Sequence, residues 1–132
     1  MIELHGWLII HAKYKDVCWS DDLNRMVVMK LQEEIQKSEF FKPEIKAQNG
    51  DYFMEFSIYA NRINKEVLEA FELYEKIGKI AEGSYGLIYL YDDEAVDGKE
   101  NMFQVFVLAR GEVKKEKDSY LSPIIPIIAD AD

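Results

Sequence analysis

One cysteine, two histidines and no long apolar run mark this chain of 132 residues. Cys18 has no second cysteine to pair with, which excludes an internal disulfide and suits a reducing compartment. No apolar stretch approaches the roughly 18 residues of a membrane-crossing helix. The opening residues, Met1-Ile2-Glu3-Leu4-His5, carry neither a basic n-region nor an apolar h-region. The expectation is a soluble protein of the cytoplasm. Internal repeats and low-complexity linkers are missing too. The whole chain, 1–132, fits one domain, able to bury roughly two-thirds of its unfolded surface without a staple. Basic residues are in deficit, with 16 Lys plus Arg against 25 Asp plus Glu and a net charge of −9. Such a chain repels a nucleic-acid backbone and attracts a basic partner. The same charge also serves plain solubility.

Residues that do chemistry are equally thin. His5 and His11 stand six positions apart on one predicted strand, about 20 Å at the usual rise, too far to share a metal or a substrate atom. Each reads as a half-buried structural histidine. Cys18 lacks a CxxC mate and reads as a small packed residue. Counted as a calcium loop from Asp93, the acidic stretch has Ala95 at position 3 and Gln104 at position 12, where ligands are needed. GSYG at 83–86 follows a helix and precedes a strand, the reverse of a phosphate-binding loop, and no Lys-Ser/Thr follows it. No metal or cofactor is expected, and binding is better supported than catalysis.

What is present is regular patterning. Hydrophobic residues at 48% and charged residues at 31% are a globular mixture, not a disordered one. Positions 2–11 alternate as a strand, with Ile2, Leu4, Gly6, Leu8 and Ile10 in one set and Trp7 in the other. The second set is apolar enough that both faces are expected to be covered, with Trp7 structural. A helix follows, with Ser20 as N-cap, Asp21 and Asp22 in its first turn, and a stripe of Leu23, Val27, Leu31 and Ile35 with Met26 alongside. Pro43 marks the exit.

Asn49-Gly50 between alternating segments predicts a two-residue hairpin, with Gln48 opposite Asp51, Ala47 opposite Tyr52 and Ile45 opposite Met54. The second helix has Asn64 as N-cap, Ile63 and Leu68 as a staple, and a face of Val67, Ala70, Phe71, Tyr74, Ile77 and Ala81. Glu72–Lys76 and Glu75–Lys79 are i,i+4 pairs, and Gly83 is the expected stop. Positions 85–91 and 102–110 read as buried central strands, with Gly86 admitting a close neighbour. Between them lies a loop holding Asp92, Asp93, Glu94, Asp97 and Glu100, and after them a ribbon with Lys114, Lys115 and Lys117. The order is β-α-β-β-α-β-β plus a tail. This is an α+β arrangement, a mostly antiparallel sheet with two helices packed on it, whose first six elements match a split β-α-β unit. The tail's isoleucines around Pro123 and Pro126 suit an extended segment docked on the body, along a sheet edge or over a helix, with Asp130 and Asp132 in water.

ELHGW at 3–7, GSYGLIYLYDDE at 83–94, FQVFVLARG at 103–111 and DSYLSP at 118–123 together resemble the immunity protein 7 family of bacterial polymorphic-toxin systems. The likeness runs in order from the first strand to the tail. It implies a small cytoplasmic α+β protein, made beside a toxin gene, that binds and blocks the cognate toxin domain without enzyme activity or cofactor. Charge favours a basic nuclease as the toxin. On this reading the loop Asp92, Asp93, Glu94, Asp97 and Glu100 is an electrostatic lure, with Asp21 and Asp22 as a second patch. Trp19, Tyr91 and Tyr120 are candidate anchors, with core packing as the other role for Tyr91. Two further readings stay open. One is a small-molecule regulatory module, which needs a polar pocket between helix and sheet. The other is a hydrolase using a lone histidine with carboxylates.

Overall fold

Ile2, Leu4, Leu8 and Ile10 are each 0% exposed on one side of strand β1 (Ile2–Ile10), while Glu3, His5, Trp7 and Ile9 alternate on the other. That difference decides the layering, because alternate side chains of a strand point to opposite faces of its sheet. The computed structural model describes residues 1–13 and 21–130. After β1 come helix α1 (Asp21–Lys37), β2 (Lys46–Gln48), β3 (Asp51–Ala60), helix α2 (Lys65–Ile80) and β4 (Tyr85–Asp92). A 3-10 turn (Lys99–Asn101), β5 (Phe103–Ala109), β6 (Glu112–Lys117) and one short turn of helix, α3 (Ile124–Ile127), complete it. Ser20, Cys18 and Trp19 lie outside the described residues. No helix among the described residues is long and apolar enough to cross a membrane.

The strands form one sheet in the order β2-β3-β1-β4-β5-β6, antiparallel at every step. In the first four strands α1 carries the chain past β3, and α2 carries it back past β1, as in a split β-α-β unit. The α+β class and the element order are those expected from the sequence. Val28, Leu31 and Ile35 of α1 join Val67, Ala70, Leu73, Tyr74 and Ile77 of α2. They bury the inner rows Ile2–Leu4–Leu8–Ile10, Met54–Ile58 and Ile88–Leu90. Helices α1 and α2 both pack on this face, and the rings of the other face stay open among the described residues, so the expectation that both faces of β1 are covered is corrected.

A slot in the sheet receives the largest buried side chain. Tyr74 is 0% exposed, and its hydroxyl shares its proton between the carbonyls of Trp7 at 3.1 Å and Leu87 at 3.2 Å. It gets there because Gly6 carries no side chain; a β-carbon there would run into the Phe56 ring and stand 2.8 Å from the Tyr74 hydroxyl. Burial pushes the phenol far above its usual range. Gly86 answers a second close approach, since a β-carbon there would strike the Trp7 carbonyl on the neighbouring strand.

Local signals are met with some displacements. Asn49 and Gly50 take the positive φ values, 53° and 83°, that the hairpin needs, and Gln48 opposes Asp51. Ile45 lies just outside β2 and packs on the core. Asn64 caps α2 by accepting from the Val67 N–H at 3.0 Å. Ile63 and Leu68 are both exposed, at 41% and 51%. The helix ends at Ile80, with Ala81 rather than Gly83 as the residue that closes it, and the Gly83 N–H instead donates to the His11 carbonyl. Lys76 pairs with Glu34 of α1 rather than with Glu72. On α1 the buried residues are Val28, Leu31 and Ile35, and Met26 is exposed. Spacing by four drifts around a helix of 3.6 residues per turn, so the core meets an i, i+3, i+7 set instead.

The tail also departs from expectation. Only Ile124 of its isoleucines is buried, while Ile125, Ile127 and Ile128 are exposed. It is held by polar contacts: Asn101 accepts from the Ile125 N–H at 2.8 Å and donates to its carbonyl at 3.0 Å. The short helical turn at 124–127, with a non-helical Ile125, replaces the extended strand-like run.

Candidate functional site

The helix-free face of the sheet is aromatic. The register sets Glu3, Tyr59, Tyr91 and Phe103 in one row across four strands, and His5, Ser57, Tyr89 and Val105 in the next. Trp7, Glu55, Leu87 and Val107 make a third row. A face packed against another layer would hide these rings. Here Trp7 is 42%, Tyr85 45% and Tyr59 66% exposed, which is unusual for large side chains in the middle of a sheet. The rings brace one another edge to face: Trp7 on Tyr85 at 6.3 Å, His5 on Tyr59 at 5.7 Å, and Tyr89 on Phe103 at 6.3 Å. Trp7 is therefore a surface residue of this face rather than a core one.

Two adjoining depressions, each of about 340 Å³, lie on this face and share His5 and Tyr89. One reaches over Gly6 toward Trp7 and Glu55; the other runs to Glu3, Phe103 and the segment after β6. Between them His5 is fixed on both nitrogens. Its Nε2 is 2.7 Å from Glu3 Oε1 and its Nδ1 is 3.0 Å from Ser57 Oγ. A carboxylate only accepts, so in the neutral ring Nε2 donates to Glu3 and Nδ1 accepts the Ser57 hydroxyl. The line resembles a nucleophile–base–orienter set. Ser57, however, sits mid-strand, away from any helix start or turn where N–H groups converge to stabilise an oxyanion. The arrangement fixes an imidazole on the open face of the sheet. Across the sheet, His11 lies 3.3 Å from Asp51 and edge-on to Tyr85.

The segment after β6 forms the rim. Asp118 organises it, accepting from the Tyr120 N–H, the Leu121 N–H and the Ser122 hydroxyl at 3.0, 3.0 and 2.9 Å. Partial burial pushes the Asp118 carboxyl up, but those three bonds together outweigh it and hold it below the usual carboxylate value. The turn leaves Tyr120 80% exposed, projecting at the edge of the second depression.

The expected partner residues fall in separate places. Tyr91 is half-buried, tilted on Phe103 at 5.7 Å, at the end of the aromatic face. Asp92, Asp93, Glu94, Asp97 and Glu100 follow it directly in the β4–β5 loop. Asp92 accepts from the Glu94 N–H at 2.9 Å, and Asp93 lies 2.6 Å from the Met1 amino group. Asp97 and Gly98 turn the chain with φ of 61° and 76°. Asp93, Glu94, Asp97 and Glu100 are exposed. The lysine ribbon comes against this loop, because Asp97, Lys99, Lys115 and Lys117 line one depression of about 460 Å³. Lys99 beside it holds the Lys115 ammonium below its usual value, with burial adding to the effect. Asp21 and Asp22, exposed in the first turn of α1, belong to the other end of the sheet. Asn24 of that helix accepts from the Ala12 N–H just past β1, whereas the loop begins opposite Ile2, about 30 Å away along a nine-residue strand. The structure thus brings Tyr91 and Tyr120 to the open face, sets the acidic loop at the end of the sheet directly after Tyr91, and leaves Asp21 and Asp22 apart.

Glu3 and Tyr89 are residues of this face that the sequence did not single out, and Trp7 and His5, read from the sequence as structural, lie on it too. Their signal was present in the apolar second set of β1, but which set faces helices depends on strand order. No curated protein and no solved structure matches the chain. The family model described as Immunity protein 7 matches residues 1–130, from the first strand through the tail. The chain belongs to the immunity protein 7 family.

Proposed function

We propose that this protein binds a cognate toxin domain and neutralises it, using the helix-free aromatic face and the adjoining acidic loop as its interface. The observation that carries the reading is the family match along 1–130. The exposed rings supply the apolar anchors that a tight inhibitor needs at the centre of its interface. The loop at 92–100 and the net charge of −9 steer a basic partner toward them. A basic nuclease suits that field, because an acidic protein can cover a cleft built to hold phosphates. Inhibition of this kind needs no catalysis and no cofactor from the chain, and a toxin that acts in the producing cell is met in the cytoplasm.

A regulatory module for small molecules has less behind it. It needs polar groups between helices and sheet, and among the described residues the buried polar side chains are Ser84 and Gln104. The test is coexpression with the toxin domain encoded immediately upstream. Growth is restored if the reading holds; toxicity unchanged by the coexpressed protein contradicts it.

A further inference from the structure

We infer that the depression between Tyr89, Phe103 and Tyr120 is a receptor for an arginine side chain of the protein partner. The partner's identity rests on the toxin-binding reading; the chemistry of the pocket does not. Tyr89 and Phe103 stand at 89° to each other and form two walls of a corner, and the exposed Tyr120 ring stands at its rim. Aromatic faces attract a cation electrostatically, and a guanidinium suits them best because it is planar and weakly hydrated.

Two carboxylates supply the charge. Glu3 gives one oxygen to His5, and no hydrogen bond among the described residues takes its other oxygen. Asp118 spends its oxygens on neutral donors in its own turn, so its charge is held in place and uncompensated. Neither forms an ion pair with a lysine or arginine among the described residues. Rings and carboxylates of this kind, open to solvent in a strongly acidic protein, complement a cationic side chain with apolar stem. The contact with His5 holds the Glu3 carboxylate against the pocket that both residues line.

The probe is N-acetyl-arginine amide, added at millimolar concentration to the full isotope-labelled chain and followed by amide chemical shifts. N-acetyl-citrulline amide is the uncharged isostere. The expected shifts centre on Glu3, His5, Tyr89 and Tyr120, with citrulline giving none. Tyr120→Ala is expected to weaken the response about two- to fivefold, the size of an exposed cation–π contact. Glu3→Gln should weaken it as well, and Tyr120→Ala guards against a folding effect because its side chain is exposed. Shifts confined to the 92–100 loop, or an equal response to citrulline, overturn the proposal. The toxin domain provides a second arm. Equal toxin affinity for wild type and Tyr120→Ala overturns the pocket as a toxin contact while leaving toxin binding intact. Arginine binding without toxin binding overturns the toxin reading and upholds the pocket.

Discussion

The hydroxyl of Tyr74 lies 2.8 Å from where a β-carbon on Gly6 would stand. That closeness lets one phenol satisfy the carbonyls of Trp7 and Leu87 on two central strands. Gly6→Ala must displace both this hydroxyl and the Phe56 ring, and overpacking of that kind costs about 1–3 kcal/mol. Tyr74→Phe keeps the volume but removes the one hydroxyl that bridges the two carbonyls, at a cost of about 0.5–1.5 kcal/mol. Urea unfolding midpoints of the two variants check both values.

Neighbouring positions on β1 should separate stability from binding. Leu8 is fully buried, and Leu8→Ala is expected to lose about 2–5 kcal/mol of stability. Trp7, 42% exposed on the open face, should behave in the opposite way. Trp7→Ala is expected to unfold at nearly the wild-type denaturant concentration yet bind the toxin domain at least about 30-fold more weakly, as an interface anchor does. Parallel denaturation and calorimetric titration distinguish the two roles.

Charge in the β4–β5 loop should act on encounter rather than on residence. Replacing Asp92, Asp93, Glu94 and Asp97 with Ser is expected to slow association with the toxin domain, mostly at low salt, with little change in dissociation. Lys99, Lys115 and Lys117 line the depression beside the loop, so their removal should speed association in the same stopped-flow assay.

Acid should loosen two tied segments. Glu69 accepts from the Phe41 and Phe40 N–H groups at 2.9 and 2.8 Å, and these bonds hold its carboxyl below the ordinary 4.5. Asp118, with its three donors, lies below the ordinary 3.8. A carboxyl lowered on folding contributes stability that is present above its unfolded value and is lost as pH falls through the folded one. Melting temperature should therefore drop below about pH 4 more steeply for the wild type than for Glu69→Gln or Asp118→Asn.

Signals confined to a few residues were legible in the sequence. Asn49-Gly50 set the hairpin and its register, and Asn64 set the start of α2. Signals that depend on the rest of the chain were not. Gly83 looks like a helix stop, but its N–H is taken by His11, which only the tertiary fold brings near. The residues of β1 are apolar on both sides, and nothing local says that helices cover Leu4 and Leu8 but not Trp7. For the same reason Tyr91 and Tyr120 could be named from their positions near element ends, whereas Glu3, His5 and Tyr89 required the order β3-β1-β4-β5. Asp21 and Asp22 look like the loop's equals in sequence, and the sheet's length separates them.

Growth of cells expressing the upstream toxin domain tests the central claim most directly. Wild-type protein and Lys30→Glu, altered on the exposed surface of α1, are both predicted to restore growth, while folded Trp7→Glu on the open face fails to do so. Failure of the wild type to rescue, or equal rescue by Trp7→Glu, would contradict the account.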